Sequence, residues 1–270
     1  MRVPLLPLFC LACLGTWAGP RRANAAERHF AFSYESPVLR AGQAELQPWT
    51  TTRFGRADYY SRLDARLGFQ LGLTRHLQAG LLWDLSSTTE DIKIPGAALD
   101  SRLSSTELQS LSAQLRYELT DPVADALGSA LFLEGNAGPL SVGYEARVIL
   151  DKQLGSLLLT GNLVGGGQEL LELRSRFVAS FGATLAAGYF VTPNVVTGLE
   201  LRQGNTIASG SLDQAVLYLG PSVSFVSTGY WLTFAATPQV VTFHGATPGH
   251  RLDLSQNEYV QARLLLGFAL

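Results

Sequence analysis

The sequence has little cysteine, little lysine and no long apolar run after its first residues. Its two cysteines, Cys10 and Cys13, lie near the N-terminus, so residues 26–270 contain no thiol and can form no disulfide bond. Only Lys93 and Lys152 are lysines, and charged residues make up 16% of the chain, against about 25% in a typical soluble domain. Beyond the N-terminus no apolar stretch reaches the roughly 18 residues of a membrane-spanning helix, which leaves no candidate for one.

The N-terminus has the features of an export signal. Arg2 precedes an apolar stretch over residues 3–14, and small residues follow as far as Ala25. This order predicts a secretory signal peptide over residues 1–25; cleavage as a lipoprotein before Cys13 stays open as an alternative. Loss of the signal peptide removes three arginines and no acidic residue, which changes the formal charge from −2 to −5. A mildly acidic chain is a poor partner for nucleic acid.

Polar and apolar residues alternate through the rest of the chain. In RLDARLGFQLGL, residues 62–73, every second residue is apolar, and LQAGLLWDL (77–85) and LSAQLRYEL (111–119) repeat the pattern. A period of two residues is that of a β-strand. Twelve strands are predicted, at 42–54, 59–73, 76–87, 107–120, 128–136, 141–151, 156–165, 173–190, 194–203, 213–225, 229–241 and 256–270.

The predicted connections alternate in length. An even number of strands places both termini on one side, where the turns are short: 74–75, 121–127, 152–155, 191–193 and 226–228. The other side has the longest gaps: 86–106, 204–212 and 242–255. Short periplasmic turns with longer outer loops are typical of outer-membrane β-barrels.

The polar faces of these strands distinguish a membrane barrel from a soluble sandwich. They are rich in Gly, Ser, Gln, Arg and Glu, which fits a crowded polar lumen inside an apolar outer surface. Amphipathic rings favour the membrane interface, and aromatic residues gather near the predicted strand ends: Tyr59, Tyr60, Trp83, Tyr117, Tyr189, Phe190, Tyr230, Trp231 and Tyr259. The sequence therefore predicts an all-β fold, a transmembrane antiparallel β-barrel of about twelve strands over residues 42–270, with residues 26–41 as an N-terminal periplasmic segment.

Several stretches resemble a known family. They are AGQAELQPWTTTRF (41–54), RADYYSRLDARLGFQLGLTRHLQAGLLWDLS (56–86), TGLELR (197–202), LYLGPSVSF (217–225) and YWLTFAATPQ (230–239). They are similar to a family of uncharacterised proteobacterial outer-membrane proteins, regarded as barrels or transport proteins without an assigned substrate. The resemblance implies the fold and a bacterial outer-membrane location, and it supplies no catalytic residues.

Charged residues on the polar faces are the candidate functional residues. By strand parity Glu45 points inward, as do these candidate lumen-lining residues: Arg53, Arg62, Asp64, Arg66, Arg116, Glu118, Glu134, Glu145, Arg147, Arg176, Glu200, Arg202 and Arg263. Arginine forks pair well with carboxylates. Two interpretations stay open: the charges satisfy one another and fill the barrel, or they frame a selective path, as charged rings do in pores.

Enzyme chemistry has little support in the sequence. A lipid hydrolase of the barrel type would need a serine nucleophile beside a histidine base, and none of the four histidines lies in a His-x-Ser sequence. His244, His250 and Asp253 share a predicted outer loop, which leaves rim chemistry or metal binding as an alternative to ordinary polar loop residues. Residues 165–169, GGGQE, lack the Lys-Ser/Thr of a phosphate loop and predict a flexible outer loop. No cofactor is predicted.

The resulting hypothesis is a monomeric outer-membrane barrel that acts as a narrow channel for small solutes, and the slight excess of arginine on the inward faces suggests anionic ones. Twelve strands lie between barrels filled by their own side chains and wide porins. The first alternative is a non-conducting structural or binding barrel that presents loops 86–106 and 242–255 to a partner or to lipopolysaccharide, and the second is a barrel enzyme. The terminal stretch YVQARLLLGFAL, residues 259–270, resembles the closing strand that the barrel-assembly machinery recognises.

Overall fold

A computed structural model describes residues 27–92, 101–171, 176–246 and 250–270 of the chain. Alternating side chains suit a pleated sheet, because each strand can direct one set of residues outward and the other inward. The strands are β1 Ala44–Phe54, β2 Tyr60–Gly72, β3 Leu77–Ile92, β4 Ser101–Thr120, β5 Gly128–Ala137, β6 Ser141–Leu154, β7 Leu157–Leu170, β8 Arg176–Thr192, β9 Val195–Ala208, β10 Ser211–Ser227, β11 Tyr230–His244 and β12 Val260–Ala269.

The twelve strands form one closed antiparallel barrel. Each strand pairs with its neighbours in the chain, and β1 pairs with β12 from Glu45 opposite Ala269 to Phe54 opposite Val260. Closure leaves no strand edge, so the backbone groups of every strand find partners on both sides. The predicted twelve-strand antiparallel barrel is confirmed. In the parts of the chain that the structure describes, no helix is long and apolar enough to cross a membrane.

The outer surface of the barrel is an apolar belt. Leu67, Leu115, Leu185 and Leu199 all point outward and are between 43% and 57% exposed, although leucines of a soluble protein are usually buried. Residues of the opposite parity point inward, and many of them are polar: Gln70, Gln78, Glu200, Thr233 and Thr237 are fully buried. This arrangement is the reverse of a soluble protein and matches lipid outside with polar groups inside.

The two ends of the barrel differ. The turn end carries the connections 73–76, 121–127, 155–156, 193–194 and 228–229 together with the start of β1 and the end of β12. The loop end carries 55–59, 93–100, 138–140, 171–175, 209–210 and 245–259.

The predicted long outer loops are partly wrong. Most of 86–106 is strand, since β3 reaches Ile92 and β4 starts at Ser101, while residues 93–100 lie outside the described residues. The gap at 204–212 is closed by a two-residue turn, Ser209–Gly210, whose positive φ values of 54° and 80° match the twist of the flanking strands. The connection predicted at 242–255 begins three residues later and ends four residues later, at 245–259.

The glycine-rich stretch is strand rather than loop. Gly165, Gly166 and Gly167 lie in β7, where they pair with Ala146, Glu145 and Tyr144 of β6. A Cβ at Gly166 would lie 2.6 Å from the Tyr144 carbonyl oxygen and one at Gly167 would lie 2.5 Å from the Phe177 ring, so these two glycines allow close packing. The prediction of a flexible outer loop over 165–169 is wrong.

Three aromatic residues assigned to the membrane interface point inward instead. Trp231 is 1% exposed and Tyr60 is 8% exposed, while Phe190 packs against Phe30 inside the barrel. Tyr59, Trp83, Tyr117, Tyr189, Tyr230 and Tyr259 are exposed on the outside. The N-terminal segment supplies an apolar partner for Trp231 and Phe190, whereas the Tyr60 ring stacks with the Arg56 guanidinium at 3.5 Å.

Residues 28–39, here called the plug, lie inside the barrel. From Phe30 to Ser36 every residue is buried, and Leu39 is 1% exposed. The sequence predicts an N-terminal periplasmic segment over residues 26–41, and the structure places residues 28–39 of this segment inside the barrel, near the turn end. The physical reason is that the aromatic side chains of HFAFSY are buried against inward-facing apolar residues near the turn end. The predicted signal peptide, residues 1–25, lies outside the described residues and stays a prediction.

Candidate functional site: a plugged lumen and its vestibule

The plug is anchored first by one carboxylate. Glu200 of β9 is fully buried and accepts hydrogen bonds from the backbone N–H groups of Ala31, Phe32 and Ser33 at 2.7, 2.7 and 3.0 Å. The plug forms no strand, so its backbone groups must find side-chain partners in the wall. Among the described wall residues Glu200 accepts hydrogen bonds from the most backbone N–H groups of the plug, which makes it the main polar anchor of this segment.

Further anchors follow along the plug. The Tyr34 N–H donates to Asn162 Oδ1 at 2.7 Å, and the Tyr34 carbonyl accepts from Asn162 Nδ2 at 2.9 Å and from the Thr160 hydroxyl at 2.7 Å. The Ser36 N–H donates to Asp151 Oδ2 at 3.0 Å. These wall residues come from β6 and β7, so the polar inner face of the barrel serves as a receptor for the plug backbone.

The end of the plug meets the predicted lumen residue Arg116. Its guanidinium donates to Gln78 Oε1 at 3.0 Å and to the Glu35 carbonyl at 3.4 Å, and Gln78 in turn accepts from the Leu39 N–H at 2.9 Å. At Gly72 of β2 any Cβ would collide with the Leu39 carbonyl oxygen. Glycine therefore allows the plug to cross the strand closely.

Apolar contacts complete the fit of the plug. The phenylalanine and tyrosine rings each enter a separate cluster with inward-facing wall residues. These clusters are Phe30 with Leu158 and Ala186; Phe32 and Ala31 with Val226, Trp231, Ala235 and Leu265; and Tyr34 with Ala130, Phe132 and Ile149. Burying such side chains stabilises the plugged form by about 1.5–3 kcal/mol for each large residue.

Above the plug the lumen opens into a vestibule towards the loop end. It consists of two cavities of about 540 and 480 Å³. Both are lined by Arg53, Arg62, Glu145 and Arg263, so they belong to one space. Phe32 of the plug forms part of the floor.

Many of the predicted lumen residues pair with one another at the vestibule. Each pair joins a guanidinium to a carboxylate of the wall: Arg53 and Arg62 to Asp64, both at 2.6 Å; Arg66 to Glu134 at 3.1 Å and also to Asp84; Arg147 to Glu145 at 2.6 Å. Both interpretations from the sequence thus describe part of the lumen, since some charges satisfy each other and others face open space.

Three other candidates lie elsewhere. Glu118 is near the turn end, 3.4 Å from Arg40, and Glu45 accepts from the Trp231 indole N–H at 3.1 Å. Arg176 begins β8 at the loop end and is exposed.

Two arginines of the vestibule have only neutral partners among the described residues. Arg202 donates to Gln261 Oε1 at 2.6 Å, and Arg263 donates to the Thr51 hydroxyl at 2.8 Å and to the Ala31 carbonyl at 3.4 Å. Both guanidiniums stack on aromatic rings instead, as arginine does more readily than lysine.

Sequence reasoning missed the plug and the wall residues that bind it. Asn162, Thr160 and Asp151 are not among the candidate residues of the sequence analysis. One signal was available: Phe132, Ile149, Trp231 and Leu265 share the inward parity near the turn end, where an open lumen would be polar.

Asp253, one of the residues of the predicted rim site, stabilises its own loop. Asp253 is buried and accepts hydrogen bonds from the Ser255 hydroxyl and from Asn257 Nδ2, each within the same loop. Among the residues that the structure describes, no group of three His, Cys, Asp or Glu side chains is placed to hold a metal ion.

Comparison of the sequence with known proteins gives one family match. A family of unknown function, DUF6662, matches residues 22–144. Curated proteins give no match to the sequence.

Solved barrels match almost over their whole length. The COG4313 outer membrane channel from Pseudomonas putida F1 has a TM-score of 0.61 and 14% identity, over 87% of this chain and 98% of that one. The NanC porin has a TM-score of 0.51 and 9% identity, over 83% of this chain and 100% of that one. The β domain of the Bordetella autotransporter BrkA has a TM-score of 0.51 and 12% identity, over 85% of this chain and 100% of that one. At these identities the likeness establishes the fold, which is that of outer-membrane barrels.

Proposed function

We propose that this chain is a channel for small solutes in the outer membrane of a Gram-negative bacterium, with the turn end facing the periplasm. The charged vestibule carries the proposal. Ionised side chains that face an open cavity within a closed barrel attract polar solutes, as charged rings do in other pores. The likeness to an outer membrane channel and a porin supports the same function.

The proposal includes the surroundings of the channel. The apolar belt contacts membrane lipid, the loop end contacts lipopolysaccharide, and β12 is the strand recognised by the barrel-assembly machinery after export through the signal peptide. One chain closes its own barrel, so a monomer suffices for a path.

The plug closes this path in the structure. The space left between the plug and the wall around Trp49, Arg66 and Arg116 is a cavity of about 20 Å³, which is close to the room that one water molecule needs. A solute larger than water therefore passes only when the plug moves. Its anchors are hydrogen bonds and apolar contacts, which permit such movement.

A reversible tether of the plug tests the function. An ideal Cβ at Gly128 lies 2.7 Å from the Ser36 hydroxyl oxygen, close to the separation of about 3 Å between one Cβ and the opposite sulfur in a disulfide. The same Cβ would collide with Asp151 Oδ1, so the Asp151 carboxylate must turn aside to admit the new side chain. Since residues 26–270 contain no cysteine, the pair Ser36→Cys/Gly128→Cys would be the sole thiols after cleavage. Single-channel conductance is measured in a planar bilayer with residues 26–270, before and after reduction of the same sample.

The expected result is conductance steps that are absent in the oxidised protein and return on reduction. Ser36→Cys alone and Gly128→Cys alone can form no tether within the chain, so each should conduct equally before and after reduction. Steps that persist in the oxidised pair would show a path that avoids the plug. Silence of the wild type and of every variant, with intact barrels, would reject the channel.

The second candidate is a non-conducting binding barrel. The close fit of the plug, buried from Phe30 to Ser36, favours it, since a segment held this firmly can serve as a permanent core. In that case the loop end would present the β3–β4 hairpin, whose residues 101–108 are exposed, to a partner or to lipopolysaccharide. The bilayer experiment separates the two candidates.

A further inference from the structure

Arg202 and Arg263 are the vestibule arginines without an ionic partner in the described chain. The larger cavity is lined by six arginines and by two carboxylates, Glu145 and Glu258. Glu145 pairs with Arg147 at 2.6 Å and Glu258 with Arg56 at 2.7 Å. The remaining four arginines are Arg53 and Arg62, which share Asp64, and Arg202 and Arg263, whose polar partners are neutral.

The two guanidiniums are neighbours on the floor of the vestibule. Their central carbons lie 4.5 Å (Arg202) and 4.3 Å (Arg263) from the ring centre of Phe32. Arg202 also stacks on Tyr218 at 4.8 Å and Arg263 on Trp49 at 4.6 Å. Neither guanidinium forms an ion pair in the described chain, and because both lie near one ring centre their central carbons are at most about 9 Å apart, so their like charges repel each other. An anion between them would remove that repulsion.

We infer that the vestibule floor is a binding site for a small organic carboxylate, held by Arg202 and Arg263. A carboxylate matches the planar fork of a guanidinium and accepts two hydrogen bonds from it. The rings of Phe32 and Tyr218 offer apolar contact to the rest of the ligand. The cavity, about 540 Å³, is within the range of small-molecule sites, roughly 300–1,000 Å³.

The binding site itself stands on the geometry of the vestibule alone. Naming such an anion as the transported solute rests on the proposed function. The tests therefore measure carboxylate binding separately from conductance. Binding by a barrel that gives no conductance in the bilayer would support the carboxylate site and contradict the proposed channel function. Conductance without carboxylate binding would support the channel function and contradict the carboxylate site.

The first test compares two ligands of the same shape on the unchanged protein. Detergent-solubilised residues 26–270 are titrated with benzoate and with benzamide by isothermal calorimetry at low salt. Benzoate should bind at least about tenfold more tightly, since a charge-assisted hydrogen bond contributes about 1.5–3 kcal/mol. Its affinity should also fall as salt is added. Equal binding of benzoate and benzamide, or binding of neither, would overturn the inference.

The second test places the ligand at the two arginines. Arg202→Gln and Arg263→Gln should each weaken benzoate binding by about tenfold, and the lysine variants should weaken it less because they keep the charge. The matched control is Arg102→Gln on the β3–β4 hairpin, where Arg102 pairs with Asp91 at 2.8 Å outside the vestibule. It should bind benzoate like the wild type. Arg202 and Arg263 variants that bind like the control would overturn the inference.

A third variant separates the site from the plug. Phe32→Leu removes the ring on which both arginines stack but keeps both guanidiniums and an apolar floor. It should retain benzoate binding, whereas loss of binding equal to that of Arg263→Gln would mean that the plug contact, rather than the charge, creates the site and would overturn the assignment.

Discussion

At the scale of single residues, Glu200 connects the barrel wall to the plug. Its carboxylate accepts hydrogen bonds from three backbone N–H groups of the plug inside the barrel. Glu200→Ala leaves these donors without their acceptor, and we expect a loss of about 2–4 kcal/mol in the free energy of unfolding, since a buried donor left unpaired costs about 1–3 kcal/mol. The tryptic bond after Arg28, which is 3% exposed, should also become cleavable. Denaturant titration and limited trypsin digestion measure the two effects.

Glu134→Ala is the matched control for Glu200→Ala. Glu134 is a buried carboxylate of the same lumen, but it pairs with Arg66 on the wall and not with the plug. Its loss should lower stability while Arg28 stays protected from trypsin. Equal trypsin sensitivity of the two variants would mean that the plug is released by general loosening of the barrel.

His29 makes the stability of the plug depend on pH. Burial alone would lower the pKa of His29, but the charge and hydrogen bond of Glu35, 2.7 Å away, and the charge of Glu27 raise it above its usual 6.5. A pKa raised by folding stabilises the protein fully below the unfolded value, and this stabilisation is lost as pH rises through the folded value.

The wild type should therefore lose thermal stability as pH rises from about 6 to about 9. The midpoint of thermal unfolding, measured across this range, is compared with that of His29→Gln, which keeps a hydrogen-bonding side chain and does not titrate. The difference between the two proteins should shrink at high pH. A constant difference would mean that the His29 charge does not hold the plug.

At the scale of elements, strand parity decides which residues meet lipid. Leu67 lies on the outward face of β2 and Leu103 on the exposed part of β4 beyond the belt. Leu67→Arg should cost about 2–4 kcal/mol near the bilayer midplane, and Leu103→Arg about 0–1 kcal/mol. Denaturant unfolding in lipid vesicles measures both. Similar costs for the two variants would contradict the assigned belt.

The elements also show which parts of the fold can be predicted from sequence. Period-two alternation predicted all twelve strands, because each strand must present one face to each environment. It failed at Ser209–Gly210 and at Gly165–Gly167, where glycine serves as a turn in the first case and as a strand residue in the second. Glycine alone does not distinguish these roles, since both depend on the neighbouring strand.

At the scale of the whole molecule, the barrel could be predicted and its contents could not. The alternation of β1–β12 is local, whereas the plug is held by residues such as Asn162 and Glu200 that lie far along the chain. Parity assigned Arg202 and Arg263 to inward faces, and only the three-dimensional arrangement places both guanidiniums on one ring, Phe32. A period of two residues carries information about faces and none about distances across a lumen.

The plug directly precedes β1, and this position bears on how the chain folds. The Phe32 N–H meets a carboxylate 168 residues later, and the Arg28 carbonyl meets a hydroxyl 205 residues later. Contacts this distant in sequence make folding slow. Threading residues 28–39 into a finished cylinder would be slower still, so we expect the seam between β1 and β12 to close around a segment already inside. Residues 28–39 would then serve as the template around which the sheet closes.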